Sequence, residues 1–456
     1  MTLCNLRRYL ILFLAGAGVL PAMAETARTS QTPEWVSRPL SLADAVNLGL
    51  QRNGNILRGK SDLEAQYGVV VQTRAVALPK VQVTGNYLAT TATEQFPFPN
   101  PPPAQSQSWN ANIQLVQNIY AGGQINSALR SAKLTKEQAL LQYQTVIADS
   151  LLQVKVGYYD VLSAEELVAV EVASVKLLTQ ELDDQKRRFD AGTVPRFNVL
   201  QAEVQLANER PRLIQARNSH RITKNNLVNL LGFHVAPEVL EDVPMQLTDK
   251  LDAEPYKLEL PIAIEKALEN RTELASLRKS EALRKEGVIS AKSGYKPTVQ
   301  IIGGYGGRNS AFFNDLSRDV SGVTGGAQVS WNIFDGLLTQ GKIQTAKALY
   351  EGSKVDVDNE ARDIELEVRT DYSNFIEATE TLESQKKVQE EAEESLRLAS
   401  ARSAAGTGTQ LDVLTAETSL TQARSTQVQA LHNYDVARAR LERAIGINIM
   451  QTMGKQ

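Results

Sequence analysis

Hydrophobic residues follow two different periods along this chain, and each period predicts one kind of element. From about residue 124, apolar residues recur every seven positions, at Leu140, Ile147, Val154, Val161, Val168, Val175, Leu182 and Phe189. Such a seam is typical of a coiled coil, because 3.5-residue spacing keeps one stripe of a helix facing its neighbour. The pattern predicts one unbroken helix over residues 124–190, roughly 100 Å long.

A strict alternation of apolar and polar residues precedes this helix in two segments. Val81, Val83 and Tyr87 alternate with polar residues, and Trp109 and Ile113 do the same after a proline-rich loop. Period-2 alternation predicts strands at about 79–90 and 108–120. Strands of about ten residues have the length of a tilted transmembrane β-strand. A surface hairpin of a soluble domain is the alternative interpretation of the same alternation.

Glycine and proline end the long helix and start another. Gly192 favours the left-handed conformation that stops a helix, and Pro195 is suited to the first turn of the next. The pattern therefore predicts a tip at 190–197 and a return helix at 197–231. At the other end, Ser41 and Asp44 form a capping-box pattern that begins the first helix.

The chain then repeats itself. Residues 260–268 match residues 42–50 at an offset of 218, and beyond the strands an offset of 214 places Gly406 on Gly192. A tandem structural repeat follows, with repeat 1 at 41–232, a connection at 233–259, repeat 2 at 260–446 and a tail at 447–456. Repeat 2 is predicted to contain strands at about 297–306 and 322–334, a long helix at about 338–404, a tip at 404–411 and a return helix at 411–445. By length, the first return helix and the opening helices of repeat 2 are predicted to stack end to end along a long helix.

The first residues predict export. Arg7 and Arg8 precede an apolar run that ends in Pro21-Ala-Met-Ala24, the pattern of a signal peptide at 1–24, followed by an extended leader at 25–40. The only cysteine, Cys4, leaves with the signal, so no disulfide or thiolate site is expected. No later apolar run is long enough for a transmembrane helix. An exported chain of this kind is either a soluble periplasmic protein or an outer-membrane β-barrel.

Composition argues against nucleic-acid binding and catalysis. The net charge is -3, aromatic residues make up 6%, and no Lys/Arg cluster forms a phosphate-binding face, so no nucleic-acid partner is expected. The three histidines, His220, His234 and His432, are scattered, which predicts no metal site. Neither a P-loop nor a G-x-S-x-G motif occurs, so we expect no enzyme and no cofactor.

If these strands lie in a membrane, several chains would have to form one barrel together. Each repeat supplies two strands, so one chain supplies four, whereas the smallest closed membrane barrels have about eight. An open edge in lipid leaves backbone groups unpaired at several kcal/mol each. Two chains would supply about eight strands and three about twelve, and the residues do not choose between them. The polar faces, with Gln82, Asn112, Gln300 and Gln328, would line a wet lumen and form a conduit.

The order of these elements from Ser41 to Gly446 resembles the TolC-like outer-membrane efflux proteins. The resemblance includes both tips and the turns after the second strand of each repeat, Gly122-Gly123 and Asp335-Gly336. It implies an α+β membrane protein: a homotrimer with one twelve-stranded barrel in outer-membrane lipid and an α-helical tunnel in the periplasm. It also implies a passive channel of tripartite efflux or type I secretion, whose partners are a periplasmic adaptor (membrane fusion) protein and an inner-membrane transporter.

The same resemblance assigns roles to the tips. It implies that an exposed surface docks with the adaptor, formed by Gly192, Thr193, Val194, Gly406 and Thr407. Asp412 matches an acidic position at the tunnel entrance, where three copies would form a ring, although a solvated helix charge is the alternative. The family's second acidic position is Thr415 here, and the first tip has Asn198 where the family has Asp. The sequence therefore lacks two of the residues that a charge-linked gate would need. The rival function is a periplasmic or surface coiled-coil scaffold with soluble hairpins.

Overall fold

A computed structural model describes residues 39–89, 107–234, 242–309 and 316–447. The predicted signal peptide lies outside these residues, as do nearly all of the leader and of the C-terminal tail. The described chain is an α+β protein, mostly helical, with one small antiparallel sheet. None of its helices combines the length and the apolarity needed to cross a bilayer.

Each repeat contains the same series of elements. In the first they are α1 (Leu42–Arg52), α2 (Gly54–Arg74), β1 (Lys80–Ala89), β2 (Gln107–Ala121), α3 (Gln124–Asp190) and α4 (Arg196–Leu230). In the second they are α5 (Leu260–Asn270), α6 (Thr272–Lys292), β3 (Thr298–Asn309), β4 (Asp319–Ser330), α7 (Leu338–Ala404) and α8 (Gln410–Ala444). The long helices α3 and α7 each have 67 residues, and the return helices α4 and α8 each have 35.

The half-length helices stack within a repeat, so the predicted stacking between repeats is wrong. Asn53, between α1 and α2, donates its side-chain amide to the carbonyl of Leu230 at the end of α4, at 2.6 Å. In the second repeat Arg271, between α5 and α6, donates to the carbonyl of Ala444 at the end of α8, at 3.3 Å. Each return helix therefore ends against the opening helices of its own repeat, because these side chains satisfy carbonyls that a helix end leaves free.

The two main cores lie at these junctions. In the first repeat Tyr158 and Val161 of α3 pack with Leu227 of α4 and Ala45 of α1. In the second repeat the corresponding cluster contains Ile364 and Val368 of α7, Leu274 of α6, and Leu441 and Ala444 of α8. Burying these apolar side chains is the main stabilising contribution that fixes the half-length helices against the long ones.

The four strands form one antiparallel sheet in the order β1-β2-β3-β4. A register shift between Asn118 and Tyr120 is a β-bulge, so Tyr120 rather than Ile119 takes the place opposite Val299. Ile119 lies within the bulge and has no paired residue in β3.

The fourth strand differs from its predicted range of 322–334. It begins at Asp319 and ends at Ser330, while β3 extends beyond residue 306 to Asn309. The side chains that follow Ser330 contact other parts of the chain. The indole of Trp331 donates to the carbonyl of Tyr295 at 3.1 Å, and the Asp335 carboxylate accepts from the backbone N–H of Thr339, in the first turn of α7, at 2.9 Å.

Candidate functional site

All four polar positions predicted for a lumen lie on one face of the sheet. Residues opposite each other in neighbouring strands share a face, and so do residues two apart in one strand. Gln82 is two residues from Thr84, which pairs with Asn112. Asn118, six residues along β2, pairs with Gln300, which in turn pairs with Gln328. One face of the sheet thus carries amide side chains from all four strands, which alternation alone could not assign to a common face.

The opposite face is apolar and uncovered. Val83 pairs with Ile113, which pairs with Tyr305, which pairs with Val323, and so these four side chains share one row. Val83 is 74% exposed and Val323 is 83% exposed. An exposed apolar face of this extent on a folded chain marks a contact with lipid or protein. The edge strands β1 and β4 also have only one neighbour each in the described sheet.

Each tip is a helix stop with a left-handed glycine. Gly192 has a φ of 75°, and the backbone N–H of Thr193 donates to the carbonyl of Arg188 at 2.9 Å. In the second tip Gly406 has a φ of 73°, and the N–H of Thr407 donates to the carbonyl of Arg402 at 2.9 Å. Both glycines and both threonines are exposed, whereas Val194 is half-buried. This pattern satisfies the last carbonyls of each long helix and leaves small residues at the surface.

The two tips of one chain lie side by side. Gln410, the first residue of α8, is buried and donates its amide to the carbonyl of Asn198 in α4 at 3.1 Å. Leu414 packs with Leu182 and Leu206, which joins α8 to both helices of the first tip. Sequence reasoning missed Gln410, since a polar residue at the start of a helix gives no signal of a contact more than 200 positions away.

Asp412 has a local role that its sequence context could have shown. Its carboxylate accepts from the backbone N–H of Thr409 at 2.9 Å, while the Thr409 hydroxyl accepts from the N–H of Asp412 at 3.2 Å. This is a capping box of the kind recognised at Ser41 and Asp44. The hydrogen bonds from Thr409 and the charge of Arg402 lower the pKa of Asp412, so its exposed carboxylate is ionised and held in place.

The inter-repeat interface between α3 and α8 is rich in ionisable groups. Near the half-helix junctions Arg443 of α8 donates to Asp149 of α3 at 2.8 Å, and Lys155 pairs with Glu442 at 3.2 Å. Arg443 also pairs with Glu273 of α6 and with Glu367 of α7. One guanidinium thus joins helices from both repeats, a contact that no single-helix pattern could reveal.

Closer to the tips the same interface buries acids. Glu417 of α8 is 4% exposed, and Glu209 of α4 is 7% exposed. Glu209 accepts from the hydroxyl of Ser174 at 2.8 Å, and Thr421 donates to that same hydroxyl at 3.2 Å. Sequence reasoning missed these two acids of the return helices, because an acid within a helix gives no sign of which neighbour buries it.

A metal-binding arrangement is not found in the part of the chain that the structure describes. There, no group of three or more His, Cys, Asp or Glu side chains has the geometry to hold an ion. His432 instead contacts Asp160 at 2.7 Å, across the α3–α8 interface.

Comparison with known families gives a match to both repeats. The family model for outer membrane efflux proteins matches residues 45–233 and 263–447. The outer membrane protein TolC of Escherichia coli K12 is 23% identical over 415 residues, covering 86% of this chain and 80% of that protein. The alkaline protease secretion protein AprF of Pseudomonas aeruginosa is 23% identical over 418 residues, covering 90% and 85%. The cobalt-zinc-cadmium resistance protein CzcC of Cupriavidus metallidurans is 24% identical over 292 residues, covering 63% and 64%.

Solved structures share the fold. The outer membrane protein VceC of Vibrio cholerae superimposes with a TM-score of 0.73 at 17% identity, covering 89% of this chain and 96% of that one. The outer-membrane channel OprN superimposes with a TM-score of 0.75 at 19% identity, covering 91% of each chain.

Proposed function

This chain belongs to the outer membrane efflux protein family, as its sequence resemblance predicted, and we propose that three copies form one outer-membrane duct. The family match establishes an outer-membrane channel for efflux or type I secretion and does not favour the scaffold alternative. The trimer, the twelve-stranded barrel and the partners at the tips are the parts we propose.

The observation that carries the proposal is the open sheet with one apolar and one polar face. In lipid the free backbone groups of β1 and β4 would each be left unsatisfied at a cost of several kcal/mol. Pairing β4 of one copy with β1 of the next removes both edges. It also places the apolar face with Val83 and Val323 outside, and the polar face with Asn112, Gln300 and Gln328 inside. The choice of three copies rather than two rests on what the resemblance to TolC-like proteins implies, since the sheet itself would allow either number.

Native mass spectrometry of the detergent-solubilised protein tests the assembly. We expect a species of three chains that also conducts ions in a planar bilayer. A two-chain species would replace the twelve-stranded barrel by one of about eight strands. A monomer without conductance would contradict the shared barrel altogether.

The tips are the proposed contact with the adaptor. Gly192, Thr193, Gly406 and Thr407 are exposed, and nothing lies within 4 Å of a Cβ built on either glycine. A small, uncovered surface at a helix end can approach the backbone of a partner closely. Val194 is half-buried and would support this surface from beneath. Each chain supplies two such tips, so a trimer would present six to its partners, an adaptor protein and through it an inner-membrane transporter.

A cysteine at Thr193 is expected to form disulfides with cysteines on the tip of the adaptor hairpin, because the side chain is exposed at the end of the tunnel. A cysteine at the exposed Gln180 on the side of α3 is the matched control, since it lies roughly 20 Å from the tip along the helix. Efficient crosslinking at Gln180 and none at Thr193 would place the adaptor elsewhere.

Asp412 and Asn198 are proposed to line the entrance, with Asp412 supplying charge. We expect Asp412→Ala and Asp412→Asn both to reduce cation selectivity in single-channel recordings, because a ring of carboxylates concentrates cations. Asp412→Asn keeps an acceptor for the N–H of Thr409, so it separates the charge from the capping box. A wild-type selectivity in Asp412→Asn would show that the residue acts only as a cap.

We propose that the partner proteins, rather than this duct, select the transported substrate. CzcC is named for metal resistance and AprF for protease secretion, so similar ducts serve different cargoes. A lumen lined by amides fits a passive conduit of this kind.

A further inference from the structure

The interface between α3 and α8 has two halves: one contains pairs of opposite charge, and the other contains acids that face acids. The half near the helix junctions contains opposite charges, in the pairs Arg443–Asp149 and Lys155–Glu442. Arginine and lysine keep their charge far above neutral pH, so these pairs persist wherever the acids are ionised. One buried acid also lies here, Asp435. Burial raises the pKa of Asp435 to about 7, the charges of Asp252 and Glu254 raise it as well, and Arg438 and His432 lower it. The charge pairs Arg443–Asp149 and Lys155–Glu442 do not include Asp435, so they persist when it titrates.

The half near the tips contains acids that face acids. Glu417 of α8 is buried opposite Glu181 of α3, and burial together with that charge raises the pKa of Glu417 to about 7. Glu171 of α3 contacts Glu209 of α4, and burial together with this contact raises the pKa of Glu171 to about 7. Oxygens of Glu171 and Glu417 have no hydrogen-bond partner. Two carboxyl groups in contact in a low-dielectric site cannot both ionise without strong repulsion.

Two cations of this half pair with acids outside the proposed cluster: Lys186 of α3 with Glu203 of α4 at 3.7 Å, and Arg424 of α8 with Glu393 of α7 at 3.1 Å. A third, Arg212, pairs with Glu209 itself within α4, at 3.5 Å. Arg212 is the cation that acts on the Glu171–Glu209 pair, and its guanidinium is 56% exposed, so water screens much of its charge.

Two hydroxyl groups connect the Glu171–Glu209 pair to α8. Thr421 of α8 donates to Ser174 of α3, which donates to Glu209 of α4. Three helices therefore share one hydrogen-bond chain that ends on a carboxyl pair. Ionising that pair would disturb the contact of α8 as well as the contact within the first hairpin.

We propose that bound protons on Glu417 and on the Glu171–Glu209 pair hold the tip half of α8 against α3, while the charge pairs at the other end keep the helices joined. The interface then loosens from the tip end as the acids ionise. This property belongs to the chain itself, and only its consequence for the entrance rests on the proposed function.

The direction of the pH effect follows from the raised pKa. An ordinary glutamate titrates near 4.5, and the packed interface raises this to about 7. The stabilisation by protons is therefore complete below about 4.5 and is lost as the pH rises through about 7. The tip half is expected to be closed at acidic pH and loose at alkaline pH.

Distances between spin labels test the proposal in the detergent-solubilised, assembled protein. One pair spans the tip half, at Gln180 and Ser419, and a second spans the other half, at Gln153 and Asn433; all four positions are exposed. Labelled chains are diluted with unlabelled ones, so that each assembly carries at most one labelled chain. Between about pH 5.5 and about pH 8.5 we expect the Gln180–Ser419 distance to lengthen and broaden, with a midpoint near 7, and the other distance to stay constant.

The charge itself is tested by Glu171→Gln combined with Glu417→Gln. This variant is expected to keep the acidic-pH distances at both pH values, whereas Glu166→Gln at an exposed site of α3 should behave as wild type. A wild-type distance that does not change with pH overturns the proposal. So does a change that persists in the double variant, or an equal change in both halves. None of these readouts requires transport, so they remain interpretable if docking or conduction fails.

Discussion

Gly232→Ala is expected to destabilise the protein by about 3–5 kcal/mol. Gly232 ends α4 with a φ of 75°, a conformation that costs a residue with a Cβ about 1–2 kcal/mol. The larger effect is steric, because a Cβ at this position would overlap the carbonyl oxygen of Arg52 at the end of α1. Relief requires α4 to move away from α1, which would break the hydrogen bond between Asn53 and Leu230. Thermal melting followed by far-UV circular dichroism measures the loss.

Gly192→Ala is the matched control, since Gly192 has the same φ of 75° and nothing within 4 Å of a Cβ. It should lose only the conformational part, about 1–2 kcal/mol. Equal losses in the two variants would mean that the close approach of α4 to α1 contributes nothing. The stacking of the half-length helices would then need another explanation.

Arg443→Met is expected to cost about 2–4 kcal/mol and to weaken the attachment of one repeat to the other. The guanidinium side chain is 12% exposed and pairs with Asp149, Glu273 and Glu367, on three different helices. Methionine fills a similar volume but leaves these carboxylates facing one another. Arg271 compensates in part, because it also pairs with Glu273 and Glu367. The partial exposure of the acids places the effect below that of a fully buried pair.

Arg397→Met provides the comparison at a surface pair. Arg397 and Glu394 are three residues apart on α7, and both side chains are at least half exposed. Such a pair contributes little to stability, because water and salt screen two exposed charges. Urea unfolding at neutral pH should therefore separate the two variants clearly. A similar midpoint for both would show that the Arg443 cluster does not hold the repeats together.

Part of the candidate site is readable from local sequence. Glycine at Gly192 and Gly406 determines each tip, because a helix needs the left-handed conformation there to satisfy its last carbonyls. The capping box of Thr409 and Asp412 also depends only on neighbouring residues, and the rule that identified Ser41 and Asp44 would have found it. The acidic residue was instead assigned by resemblance to the entrance, a role that remains a proposal beside its role as a cap.

By itself the sequence determined the elements and their repetition. A seven-residue apolar period specifies a long helix and alternation specifies a strand, because each period records which side of one element is covered. The recurrence at offsets of 218 and 214 then made the chain a tandem repeat.

Only the tertiary structure decided which helices and residues contact each other. It placed each return helix against the opening helices of its own repeat, through Asn53 and Arg271. It also buried Glu417 and Glu209 in an interface between repeats, where a pattern read along one helix shows only an acid. Periodicity reports that a face is covered, but the partner depends on contacts between residues far apart in the chain, and these form only when the helices pack.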